Sequence, residues 1–124
     1  MNGDLRGRRI LVVEDNALLA LSLDEILREV GAVVAGPAAT LDAAELLAAE
    51  NDLSAALLDI RLNGDEVWPV ARILASKGVP FVFCTGHFDR TCLPVEWSER
   101  PILTKPARAH QIIAALADLV GDRA

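Results

Sequence analysis

Five polar residues stand where short apolar runs end. Glu14 and Asp15 follow Ile10–Val13, Asp59 follows Ser54–Leu58, Thr85 follows the run from Val79 to Phe83, and Lys105 follows Ile102 and Leu103. Three carboxylates gathered in a shallow cleft repel one another by several kcal/mol at low effective dielectric unless a cation sits among them. Oxygen-only ligands, with neither His nor Cys at these exits, favour magnesium over zinc. Once two carboxylates hold the ion, Asp59 has a further role open to it. A carboxylate can attack phosphorus and form an aspartyl phosphate, provided the phosphoryl oxygens are neutralised and held in line. Lys105 supplies a compact positive charge and Thr85 a hydroxyl donor. The amide of Gly86 can approach closely because glycine carries no side chain.

Such a site needs elements that bring these exits together. Ile10–Val13 is apolar at consecutive positions, which suits a strand covered on both faces. From Ala17 to Val30, Leu19, Leu23, Ile26, Leu27 and Val30 recur at helical spacing, with Asp15 or Asn16 as cap and Gly31 as stop. The pattern repeats. A strand over Ala32–Ala35 ends before Gly36 and Pro37, and Thr40 caps an Ala-rich helix reaching about Glu50. The strand Ser54–Leu58 leads through a polar loop to a helix from about Glu66 to Ser76, with Pro69 tolerated near its start and Gly78 beyond its end. Val79–Phe83 reads as the fourth strand. The stretch from His87 to Trp97 has little periodicity and an interrupting Pro94, so a short or mobile helix is expected there. Ile102 and Leu103 mark the last strand, and Ala109, Ile112, Ile113, Leu116 and Leu119 stripe a final helix. Strands alternating with helices imply parallel crossovers and a sheet covered on both faces. Ligands of such sheets bind beyond the carboxyl ends of the strands, where strand order reverses.

Composition narrows the function classes. With 124 residues, 52% of them hydrophobic against 24% charged, the chain can bury one core, which excludes general disorder. A formal charge of −6 opposes nucleic acid and an anionic membrane surface. Mean hydropathy is +0.33, yet no apolar run approaches the ~20 residues that span a bilayer. The first residues, MNGDLRGRR, lack the apolar core of a signal peptide, so a cytoplasmic location is expected. Cys84 and Cys92 have no metal-ligand spacing and read as free thiols. Trp68 and Trp97 read as packing residues, and His110 as part of a wet helix face.

Taken singly, each site residue has an ordinary reading: Asp15 a helix cap, Asp59 a turn opener, Thr85 a turn residue, Lys105 a solvated charge. Their joint placement at four strand exits argues against coincidence. The segments RILVVEDN, SAALLDIRLNG, VPFVFCTG and PILTKPA resemble, in order and position, the signature segments of the receiver domain of bacterial response regulators. The resemblance covers essentially the whole chain and implies an α/β flavodoxin-like, doubly wound, five-stranded parallel sheet of order 2-1-3-4-5. One receiver domain is expected over residues 1–124, with its core at about 8–121, and no output domain is expected because only four residues follow Val120.

Residue by residue, the resemblance makes Asp15 a direct magnesium ligand and Glu14 one acting through water. Asp59 becomes phosphoacceptor and second ligand, the Arg61 carbonyl the third, Thr85 the switch hydroxyl, and Lys105 the phosphate-binding base. Pro106 follows a peptide bond that is commonly cis in the family. The sequence departs from the usual receiver in three places. Ile102 stands where an aromatic rotamer switch is usual, the loop after Asp59 lacks the usual Met-Pro step, and VPFVFCTGHF resembles a stand-alone subclass reading Phe-Ala-Thr-Gly-Tyr, with Cys84 and His87 replacing alanine and tyrosine. His87 is expected to overhang the acyl phosphate and tune its lifetime.

The expectation is therefore a phosphorylation-controlled signalling switch. A sensor histidine kinase or histidine phosphotransfer protein donates to Asp59 with magnesium, and an unknown downstream protein reads the result, with no nucleic acid or membrane involved. It would catalyse only its own phosphorylation and dephosphorylation. Three alternatives are a magnesium-dependent phosphohydrolase, in which Arg61 occupies the place of a usual second acid, a flavin binder, and an unphosphorylated protein-binding scaffold.

Overall fold

The computed structural model describes residues 4–86 and 93–121. The chain runs β1 (Arg9–Val13), α1 (Ala17–Glu29), β2 (Val33–Ala38), α2 (Leu41–Ala48) and β3 (Ala55–Leu58). Two short strands follow, β4 (Arg61–Leu62) and β5 (Asp65–Glu66), then α3 (Trp68–Ser76), β6 (Phe81–Thr85), a 3-10 turn at Val95–Trp97, β7 (Ile102–Thr104) and α4 (Ala109–Gly121). Five strands pair in parallel in the order β2-β1-β3-β6-β7, while β4 and β5 form a separate antiparallel hairpin. With the hairpin left out of the count, this is the expected order 2-1-3-4-5.

The consecutive apolar residues of the strands serve two cores. In β1, Leu11 and Val13 face one core with Ala44 and Ala48 of α2 and Val70 and Leu74 of α3. Ile10 and Val12 face the other, with Leu23 and Leu27 of α1 and Ile112 and Leu116 of α4. Neighbouring side chains on a strand point to opposite faces, so a strand buried on both sides must be apolar throughout. Phe81, Phe83 and Trp97 all lie on the α2–α3 face, with edge-on ring contacts of Phe83 and Trp97 to Phe81, both at 5.4 Å between centroids. The half-buried Trp68 meets Phe83 in the same way at 5.7 Å.

Asn16 caps α1, its side chain accepting from the Leu19 amide at 3.0 Å, which leaves Asp15 out of the capping role. Thr40 caps α2 as expected.

The boundaries differ from expectation in three places. β2 does not stop at Ala35 but continues to Ala38 through a register shift opposite Leu11–Val13. Gly36 makes this possible: at φ +98 it bulges the strand, and a Cβ there would lie 2.7 Å from the Ala38 nitrogen. α3 begins at Trp68 rather than Glu66, because Glu66 pairs with Arg61 across the hairpin. β6 runs from Phe81 to Thr85 rather than from Val79 to Phe83: the Val79 amide bonds the Leu74 carbonyl at the end of α3 and Pro80 has no amide to donate, while Thr85 still pairs with Thr104 of β7. Of the stretch expected as a short or mobile helix, residues 87–92 lie outside the described residues, and Val95–Trp97 is a single 3-10 turn that buries Trp97. Among the described residues no helix is long and apolar enough to cross a membrane.

Candidate functional site

Hydrogen bonds that carry the parallel pairing one residue past the strand ends set the polar row. The Glu14 amide donates to the Ala38 carbonyl at 2.9 Å, that of Asp59 to Val13 at 3.0 Å, and that of Lys105 to Thr85 at 2.9 Å. Glu14 and Asp59 therefore leave the adjacent strands β1 and β3 at the same level, and Lys105 leaves β7 one strand further on, beyond Thr85, the last residue of β6. This is why four separate segments of sequence converge.

Glu14, Asp59 and Thr85 are the buried polar residues of the described structure, at 2%, 7% and 6% exposure. Lys105 reaches between the two carboxylates, its Nζ 2.5 Å from Glu14 Oε1 and 2.9 Å from Asp59 Oδ2. The second Glu14 oxygen accepts from the Asn16 amide at 3.1 Å. Asp59 Oδ1 lies 3.4 Å from the Arg61 amide, a long contact. Burial pushes the Glu14 carboxyl above the usual carboxylate range, outweighing the hydrogen bond from Lys105. Burial pulls the Lys105 ammonium down, but its bonds to Glu14 and Asp59 prevail and hold it above the usual lysine value. Both directions follow from the geometry: the deeper partner suffers most from desolvation, and the cation facing two carboxylates gains most from them.

One oxygen each from Glu14, Asp15 and Asp59 lie within 4.8 Å of one another. Oxygens bound to one magnesium stand about 3 to 4 Å apart, so a small closure of this trio suits a hard divalent cation. Asp15 is half-buried, and its Oδ2 accepts from the Asn63 amide at 2.8 Å. Arg61 opens β4 two residues beyond Asp59. Gly86 is exposed, and a Cβ built on it meets no heavy atom within 4 Å among the described residues, so no protein neighbour there requires glycine. Ile102 is half-buried against the aromatic face, paired in register with Phe83. His87 lies outside the described residues. The Lys105–Pro106 peptide is cis, as the resemblance implies. Behind Lys105, Pro106 and Cys84 border a cavity of about 70 Å³ between α1 and α4. Burial pushes the Cys84 thiol up to about 11, with Lys105 pulling partly the other way.

Two features escaped the sequence reading. The pairing of Lys105 with Glu14 joins residues far apart in the chain, and no local pattern encodes it. The hairpin did have a signal: Asn63-Gly64 is a dipeptide favoured in two-residue turns with positive φ at both positions, and the observed values are 51° and 91°.

No protein-family profile and no curated protein matches the chain. Solved structures do. The solution structure of SdrG from Sphingomonas melonis is 34% identical, with 92% of this chain and 97% of that one covered at a TM-score of 0.79. A response regulator receiver protein from Sinorhizobium medicae is 27% identical, with 97% and 99% covered at 0.79. The receiver domain of the response regulator PhyR from Erythrobacter litoralis is 26% identical, with 95% and 93% covered at 0.78. A BeF3-activated conformation of SdrG also matches, at a TM-score of 0.74. The matched fold is that of receiver domains, a class of signalling proteins. The chain belongs to the response-regulator receiver family.

Proposed function

We propose that this receiver takes a phosphoryl group on Asp59 from a phosphohistidine of a sensor kinase or histidine phosphotransfer protein, and signals by binding a downstream protein or passing the group on. The observation that carries the reading is the position of Asp59. It lies at the exit of the central strand, 7% exposed, with Lys105 Nζ at 2.9 Å and two further carboxylates beside it. In the transfer, an Asp59 oxygen forms a bond to phosphorus as the phosphorus–nitrogen bond of the donor breaks. The imidazole leaves with its electron pair and takes a proton.

Asp15, Asp59 and the Arg61 carbonyl would hold magnesium directly, with Glu14 acting through water. A bound magnesium ion supplies charge neutralisation at the phosphoryl oxygens. The chain's own residues do the remainder. Lys105 leaves its two carboxylates to pair with a phosphoryl oxygen, Thr85 donates its hydroxyl, and the Gly86 amide faces the same group. His87 would govern how long the acyl phosphate survives. Because Ile102 has no ring to swing, the response would travel through Thr85 and the segment after Gly86. The BeF3-activated form of SdrG supports the reading, since BeF3 on a carboxylate has the shape and charge of a phosphoryl group. The chemistry would end at the receiver itself, in the cytoplasm, without turnover of a separate substrate.

Incubation with acetyl phosphate and magnesium, followed by intact mass, tests the proposal. One added phosphoryl mass is expected in the parent and none in Asp59→Asn. Multiple turnover of acetyl phosphate without a labelled protein would favour the phosphohydrolase alternative.

A further inference from the structure

The Asp15 carboxylate sits on a loop, half-exposed, and the neighbouring Asn16 is occupied in capping α1. Its orientation depends on a distant residue. The Asn63 amide donates to Asp15 Oδ2 at 2.8 Å, while Asn63 Nδ2 donates to the Ala39 carbonyl at 3.2 Å. Asn63 thus spans the loop after β1, the loop after β2 and its own hairpin. The hairpin that presents it is anchored: Leu62 is fully buried, Leu62 pairs with Asp65, and the Val67 amide closes the base on the Ile60 carbonyl at 2.8 Å. Its backbone at φ 51 is open to asparagine and glycine and costly for branched side chains.

We infer that Asn63 is a positioning residue for the divalent-cation site, holding the Asp15 carboxylate in ligating orientation through its backbone amide. A carboxylate has about four lone-pair sites, so one accepted hydrogen bond leaves the group able to bind a cation. A ligand already held loses less freedom when the ion arrives, and a fixed carboxylate meets the near-octahedral demand of magnesium better than a free one. The inference rests on the magnesium site proposed above.

The test is a magnesium titration of the full chain, followed by tryptophan fluorescence and by the magnesium-dependent rise in Tm, on the parent, Asn63→Gly, Asn63→Ala and Asn63→Val. Asn63→Gly keeps both the amide and the left-handed backbone, whereas Asn63→Val resists that backbone and withdraws the amide. Loss of a partner that orients a ligand typically weakens metal binding by about 10- to 100-fold, and Asn63→Val is expected near the lower figure. Asn63→Gly should stay within about threefold of the parent, since it retains the bond to Asp15. Asn63→Ala should fall between them.

A merely structural role predicts lower Tm in metal-free buffer for every variant, with an unchanged magnesium affinity. That result, or equal affinity in the parent and a folded Asn63→Val, overturns the inference. Should Asn63→Val fail to fold, Asn63→Ala with the parent affinity overturns it equally. A parent that binds no magnesium would instead refute the cation site itself.

Discussion

The two flanks of Asp59 are built differently. On the side of β1, backbone amides hold the acidic pair: Asn16 on Glu14, Asn63 on Asp15, and the Ala38 carbonyl on the Glu14 amide. On the side of β6, Thr85 and Gly86 end a strand braced from below by rings, and beyond them the described chain resumes at Leu93 and a single 3-10 turn. The acidic flank is organised for fixed geometry. The Thr85 flank adds ring packing beneath β6 to the backbone bond from Lys105, and packed side chains can exist in more than one discrete arrangement.

The sharpest way to break this contrast is to remove the brace. Trp97 is 4% exposed and meets Phe81 edge-on, while the Arg100 guanidinium covers the other ring at 4.3 Å from the Phe81 centroid. Trp97→Ala should cost about 3 to 5 kcal/mol in urea unfolding, because a large buried ring leaves a cavity. A loss below about 1 kcal/mol, the range of ordinary surface changes, would show that the ring carries no such load.

On the other flank, Asp15→Ala should abolish most of the magnesium-dependent rise in Tm while altering the metal-free Tm little. A direct ligand with full charge is lost from a half-exposed position. An unchanged magnesium response would remove Asp15 from the ligand set.

Much of this was legible before any coordinates. The strands β1 and β3 and the helices α1 and α4 follow from apolar runs and 3.6-residue spacing, and the polar row follows from what ends those runs. Ladder geometry then aligned Glu14, Asp59 and Lys105 without further information. The failures were local conflicts. Gly36 and Pro37 looked like a terminator and proved to be a bulge, because glycine tolerates a φ that lets the strand resume. The hairpin has two residues per strand, too few for alternation to register, so the Asn-Gly turn went unread. Val79 is apolar enough for a strand, but its amide belongs to the end of α3.

A smaller effect sharpens the account of Gly86. With no heavy atom of the described residues within 4 Å of a Cβ built there, Gly86→Ala should leave stability within about 0.5 kcal/mol of the parent. Labelling by acetyl phosphate should nevertheless slow several-fold if the amide must approach a phosphoryl oxygen closely. Unchanged labelling would show that the position needs no glycine.

The smallest expected effect concerns Cys84. Its thiol is held up to about 11, so it should resist iodoacetamide near pH 8 in the folded chain and react readily in denaturant, as read by peptide mapping. A thiol whose folded pKa is raised contributes stability that is complete below the ordinary thiol pKa. That contribution is lost as pH rises toward 11. Rapid alkylation of Cys84 in the native protein would contradict the burial on which this rests.

The central claim is that Asp59 itself becomes the acyl phosphate. Labelling the parent with acetyl phosphate and magnesium, reducing with borohydride and sequencing the peptides by mass spectrometry tests it most directly. Borohydride converts an aspartyl phosphate to homoserine and leaves free carboxylates untouched. The account predicts homoserine at position 59, dependent on magnesium and absent from unlabelled protein. Homoserine at another aspartate, or none in protein that carries the added phosphoryl mass, would contradict it.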